Sequence, residues 1–151
     1  MDDKYVKILF RFYSDVLEDW TVETMWAEIV NLEEGLYKLD NIPFFASVSS
    51  EDIVYAEFDD DDEMLTYSKT VVHSGNSTIQ VVIMDENIAT EELRVLFNSL
   101  GCDSEKFNEK YFVIEVSQRV NYNPIREKLI ELEKQGIIGY AESNLAENHC
   151  Y

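Results

Sequence analysis

Between Tyr5 and Tyr13 the chain alternates without a break: Val6, Ile8, Phe10 and Phe12 are interleaved with Tyr5, Lys7, Leu9, Arg11 and Tyr13. A period of two with one wholly apolar face is the pattern of a strand buried on one side. That commits the N-terminal half to a sheet and asks for further strands to close it. They are at hand. Val22 to Val30 is β-rich and carries Trp26, expected in the core; Gly35 turns the chain into Leu36–Leu39; Ile53–Phe58 and Met64–His73 supply two more. Pro43 fixes φ and lacks a donor, so Ile42-Pro43-Phe44-Phe45 is expected as a short irregular or 3₁₀ connector.

The period changes after Ser74-Gly75-Asn76, a turn-forming cluster. Ser77–Met84 is an almost continuous apolar strand, suited to a central position. Thr90 is expected as an N-cap, with Glu91 and Glu92 in a first turn that suits the helix dipole. Leu93, Leu96, Phe97 and Leu100 recur at helical spacing until Gly101. Tyr111–Val116 is a strand. Asn123-Pro124 is expected to open a second helix with proline at its first position, burying Ile125, Leu129 and Leu132 and ending at Gly136. Ile137–Ala141 is the last strand.

The fold class is therefore α+β: a small N-terminal β-barrel or bent antiparallel sheet, then a β-α-β-α-β layer of ferredoxin-like kind. The corresponding division is a β-rich subdomain at 1–75 and an α+β subdomain at 76–151, expected to form one compact unit. A hydrophobic content of 46% suffices for a core. No stretch reaches the roughly 18 apolar residues of a membrane span. The opening Met1-Asp2-Asp3-Lys4 runs directly into a strand, unlike a signal peptide, so the expected location is the cytoplasm. Cys102 and Cys150 form no CxxC pair and are expected as free thiols.

Charge restricts function more than any motif. Asp and Glu number 31 against 12 Lys and Arg, a net charge of −19. The excess is uneven: residues 1–75 carry 18 acids and 5 bases, residues 76–151 carry 13 and 7. Such a surface repels nucleic-acid phosphates and anionic lipid and steers cationic partners. No nucleic-acid, membrane or small-molecule partner is expected, and a basic protein is.

Candidate sites are few. The run Asp59-Asp60-Asp61-Asp62-Glu63 falls between two strands and belongs at a hairpin tip. It lacks the spaced ligands of a calcium loop, leaving a solvated loop or a docking patch for a basic surface. His73 stands near Ser74 and Ser77 without a nucleophile elbow, a polar turn rather than a catalytic serine. Asn41–Phe45, with two adjacent aromatics beside a proline, is either a plug for the first sheet or a partner contact. Trp20 follows Glu18-Asp19 and is expected partly exposed, a weaker interface candidate. No catalytic, cofactor or metal site is expected, and the chain reads as a binding protein rather than an enzyme.

Several of these stretches carry a resemblance. Trp26-Ala27, Gly35-x-Tyr37-x-Leu39-Asp40-Asn41-Ile42-Pro43-Phe44-Phe45-Ala46, Asp52-Ile53-Val54, Ser74–Ile79 and Leu100-Gly101-Cys102 resemble a bacterial family catalogued only as a domain of unknown function, number 4265. The resemblance runs from about Val6 to Tyr140 and implies bacterial origin and the element order above, with no activity attached. By class-level analogy, small acidic bacterial proteins include immunity proteins of polymorphic or contact-dependent toxins, many of them basic nucleases. The expected partner is then a cognate toxin domain, met by Asp59, Asp60, Asp61, Asp62, Glu63 and Trp20.

Overall fold

The structure, a computed structural model, describes residues 4–15 and 17–151. The opening Met1-Asp2-Asp3 therefore lies outside the described residues. Two compact units follow one another, Met1–Ser74 and Gly75–Tyr151.

The first unit holds five strands: β1 (Tyr5–Ser14), β2 (Asp19–Asn31), β3 (Leu36–Leu39), β4 (Ile53–Asp59) and β5 (Met64–Val72). They close on themselves in sequence order. Neighbours are antiparallel except at the closure, where β1 meets β5 in parallel through Ile8↔Leu65 and Leu9↔Thr66. Ile8, Phe10, Met25, Ala27, Tyr37, Leu39, Val54 and Ala56 fill the interior, and Phe10 stacks on Tyr67 at 4.7 Å. Gly35 makes the β2–β3 turn with φ +72°; a Cβ there would lie 2.9 Å from the Tyr55 ring, so the position needs glycine twice over.

The alternation of β1 is realised as read, with Ile8 and Phe10 inside. Trp26, expected in the core, is on the other face and 45% exposed. Met25 and Ala27 take the inward positions instead, because the register pairs Trp26 with outward-facing Lys7. Lys7 Nζ sits 5.0 Å from the centre of that indole, a cation–π contact that accounts for a tryptophan at a wet position.

The ring does not use the whole of its first hairpin. β5 reaches β1 only at Ile8 and Leu9, and β3 reaches β2 only from Ala27 to Asn31. The remainder, Arg11–Ser14 paired with Asp19–Val22, overhangs as a two-stranded ribbon.

The second unit contains β6 (Ser77–Ile83), α1 (Thr90–Ser99), β7 (Asp103–Asn108), β8 (Tyr111–Val116), α2 (Tyr122–Lys134), β9 (Ile138–Asn144) and a 3₁₀ turn at Glu147–His149. Its antiparallel sheet has the order β7-β8-β6-β9, placing β6 centrally. Ile79, Val81, Phe112, Ile114 and Ile138 from the sheet pack with Leu93, Phe97, Ile125, Leu129 and Leu132 from the helices.

The expected β-α-β-α-β order lacked a strand. β7, Asp-Ser-Glu-Lys-Phe-Asn, has one neighbour and alternates between exposed and half-buried, so it carries no apolar run. Both helix starts also differ from expectation. Ala89 is the N-cap of α1; Thr90 is the first helical residue, buried, with its hydroxyl donating to the Glu109 carbonyl. Asn121 caps α2, accepting from the Asn123 amide at 3.1 Å, so Pro124 is the third helical residue rather than the first. Proline is harmless there, since a first-turn amide has no intrahelical acceptor.

Candidate functional site

Asp59 and Met64 are register partners, which puts Asp60–Glu63 at the tip of the β4–β5 hairpin. The five acids are not equivalent. Asp59 Oδ1 accepts from the amides of Asp61 (2.8 Å) and Asp62 (3.4 Å) and so organises the turn. Asp62 receives Arg11 Nη2 on both carboxylate oxygens at 2.9 Å. Asp60, Asp61 and Glu63 remain exposed. Beside them lies an open depression of about 510 Å³ lined by Glu57, Phe58, Asp60 and Asp61 among others, with the Phe58 ring 62% exposed.

Arg11 connects this turn to the overhanging ribbon. On β1 it stands two residues before Tyr13, about 7 Å along the strand. Tyr13 is the register partner of Trp20, and the two rings meet edge to face at 6.1 Å. Trp20 is 69% exposed, Tyr13 53%, and Val22, opposite Arg11, 54%. Asp62 of the acidic run and Trp20, separate in sequence, are thus linked through Arg11 and Tyr13, two same-face residues of β1. Tyr13 and Val22 complete the apolar part. The sequence signal for both was their place in alternating strands, where one face must be wet.

The Asn41–Phe45 stretch is an irregular connector. Pro43 is buried and Phe44 and Phe45 are half-buried. What holds the stretch is Glu23, whose carboxylate accepts from the amides of Phe44 (2.6 Å), Phe45 (3.1 Å) and Ala46 (2.9 Å). Nothing in the linear order announces that a β2 carboxylate caps a segment some twenty residues on.

In the second unit Ser77 is joined to His149, not to His73. Ser77 Oγ lies 2.6 Å from His149 Nδ1 and also accepts from the Ala146 amide at 2.8 Å. His149 Nε2 faces the carbonyls of Ser117 and Val120, both at 3.1 Å. A nitrogen facing two carbonyls must carry a proton, and in the neutral imidazole this leaves Nδ1 to accept from the serine hydroxyl. Such a pair resembles a nucleophile and its base, but Ser77 is fully buried and His149 only 5% exposed. Its effect here is to fasten the chain end to β6. Nearby, Glu142 accepts from the hydroxyls of Tyr122 and Tyr151, each at 2.6 Å. Burial first, then that carboxylate, pushes the Tyr122 phenol far above its ordinary range.

Among the described residues no group of three or more His, Cys, Asp or Glu side chains is arranged to hold a metal ion. Cys102 is buried and Cys150 exposed, both as free thiols. No described helix is long and apolar enough to cross a membrane.

The geometry defines a two-unit α+β protein with an acidic and aromatic surface on its first unit. The chain belongs to the family described as a domain of unknown function, DUF4265, whose model matches residues 23–140. Among solved structures it is similar to a hypothetical protein from Neisseria gonorrhoeae, with 23% identity and a TM-score of 0.81 over 97% of this chain and 99% of the other. At that identity the likeness concerns the fold. No functionally curated protein matches the chain.

Proposed function

We propose that this protein binds a basic protein partner and acts as a cytoplasmic immunity protein, neutralising a basic toxin domain, such as a nuclease, by covering its active site. One observation carries the reading: the Arg11–Asp62 ion pair ties the acidic turn to β1, the strand that also presents the exposed Tyr13–Trp20 pair. Carboxylates can take the place of substrate phosphates in a cationic cleft, while aromatic rings supply the desolvated anchor that charge alone lacks. The net charge of −19 would draw such a partner in over a distance. On this reading the protein carries out no catalysis, and a scaffold for another basic protein is the alternative within the same binding class.

The three exposed acids are the residues to test, because Asp59 and Asp62 also hold the turn. A basic toxin domain encoded beside the gene should co-purify with the protein. Asp60→Asn, Asp61→Asn and Glu63→Gln together should slow association and flatten its salt dependence, since steering is screened over roughly 8 Å at physiological ionic strength. A control changing exposed Glu127, Glu133 and Glu147 to Gln should do much less. Equal losses would mean that total charge, and not this surface, governs binding.

Of the fold, we read the strand ring as a small β-barrel and the second unit as a ferredoxin-like layer. Its β-α-β-β-α-β order supports the latter.

A further inference from the structure

The overhanging ribbon leaves part of β2 without a neighbour. β3 covers β2 only from Ala27 onward. Asp40 and Asn41 extend that cover by one residue: the Asp40 amide donates to the Trp26 carbonyl, and the Trp26 amide donates to Asn41 Oδ1, both at 2.9 Å. The direction of the remaining backbone groups follows from alternation. The Ile29 amide donates to the Lys4 carbonyl on the β1 side at 2.7 Å, so odd-numbered residues of β2 turn toward β1 and even-numbered ones away. The Trp20 amide is taken by Asp19 Oδ1 at 2.7 Å. No described residue bonds the outward backbone groups of Val22 or Thr24, and both residues are exposed.

An exposed edge is normally blunted by lysine, proline, a bulge or an inward charge. Asp19–Trp26 reads Asp-Trp-Thr-Val-Glu-Thr-Met-Trp, without lysine or proline, and its register with β1 is unbroken. Of the two acids on the Met25 face, Asp19 is exposed and Glu23 is engaged by three amides of the 44–46 segment. Five of the eight residues are β-branched or aromatic and favour extended backbone.

We infer that Trp20–Thr24 is a strand-addition edge, which takes an extended cationic segment of the partner as an extra strand. This rests on the proposed binding of a basic protein. Charge selects the occupant. Asp15, Glu18 and Asp19 crowd the ribbon tip and the chain carries a net charge of −19, so a second copy of this chain is repelled where a cationic segment is attracted. An incoming strand with lysine or arginine at alternate positions would lay them over Trp20 on the outer face, as Lys7 already lies over Trp26 at 5.0 Å. Its backbone would satisfy Val22 and Thr24.

The test uses the full chain and a short synthetic peptide alternating lysine with valine or threonine. Binding should slow amide exchange at Val22 and Thr24. The same peptide N-methylated at alternate residues keeps its charge but loses one bonding edge, and should bind about ten-fold more weakly or worse, the effect of at least one lost hydrogen bond. Val22→Pro removes the outward donor without touching a bond to β1, and should weaken binding similarly with little change in melting temperature. Failure of the lysine peptide to bind, equal binding of the N-methylated peptide, or binding without slowed exchange at Val22 and Thr24 overturns the strand-addition edge and leaves the basic-partner reading standing. Equal binding of a glutamate version overturns that reading itself. Concentration-dependent protection of the two amides without peptide assigns the edge to a second copy and also overturns the proposal.

Discussion

Replacing Glu23 by alanine removes a carboxylate that three backbone amides share. Those of Phe45 and Ala46 share Oε1, and that of Phe44 uses Oε2. A hydrogen bond to a charged group contributes about 1.5–3 kcal/mol, and a buried donor left unpaired loses a similar amount. The segment is only partly buried, so water recovers some of that loss. Glu23→Ala should therefore destabilise the first unit by about 3 kcal/mol rather than by the full threefold sum. Glu23→Gln is the sharper variant. It keeps one oxygen for Phe45 and Ala46 but sets an amide group against the Phe44 N–H, and should cost about 1–2 kcal/mol. Both tryptophans lie on β2 of this unit, so a urea titration followed by indole fluorescence reports on it selectively. Amide exchange at Phe44–Ala46 should accelerate in step. If both variants stay within about 0.5 kcal/mol of the parent, a typical effect for surface substitutions, the carboxylate is not what holds the segment.

Two further outcomes follow from burial. Met25→Ala, at 2% exposure, should cost about 2–5 kcal/mol, whereas Trp26→Ala next to it should cost roughly 1 kcal/mol, mainly its contact with Lys7; urea midpoints in the reverse order would show that the β2 faces are inverted. Burial, helped by the Asp103 charge, pushes the Cys102 thiol from its ordinary 9.0 up to about 12. Iodoacetamide at pH 8 should thus modify exposed Cys150 and spare Cys102, as read by mass spectrometry. A raised thiol contributes stability that is fully present below its unfolded value and lost as pH climbs toward the folded one. Unfolding free energy should then fall between about pH 9 and 12, less steeply in Cys102→Ala.

Much of the fold was legible because it rests on local periodicity. The alternation of Val6, Ile8, Phe10 and Phe12 named the buried face of β1. The stripes Leu93–Phe97 and Ile125–Leu129–Leu132 named the buried faces of both helices. Gly101 and Gly136 marked their ends, each with positive φ. Family membership was readable from the Asn41–Ala46 stretch and its companions. β7 was illegible because an edge strand with one neighbour needs no apolar alternation. Trp26 misled because composition says that an indole is worth burying, whereas strand register decides which side it faces.

The candidate surface divides in the same way. That the chain is acidic, and most acidic in its first half, is a property of the sequence alone. So is the placing of Asp59–Glu63 between two strands. Only the closed ring could set that turn beside β1, bond Asp62 to Arg11 and thereby link it to the strand that carries Trp20's partner Tyr13. Only the unequal lengths of β2 and β3 could leave Val22 and Thr24 with open backbone groups. Periodicity is a local property, set by how each residue meets its own backbone. Adjacency across strands depends on register and closure, which belong to the whole sheet and are written at no single position.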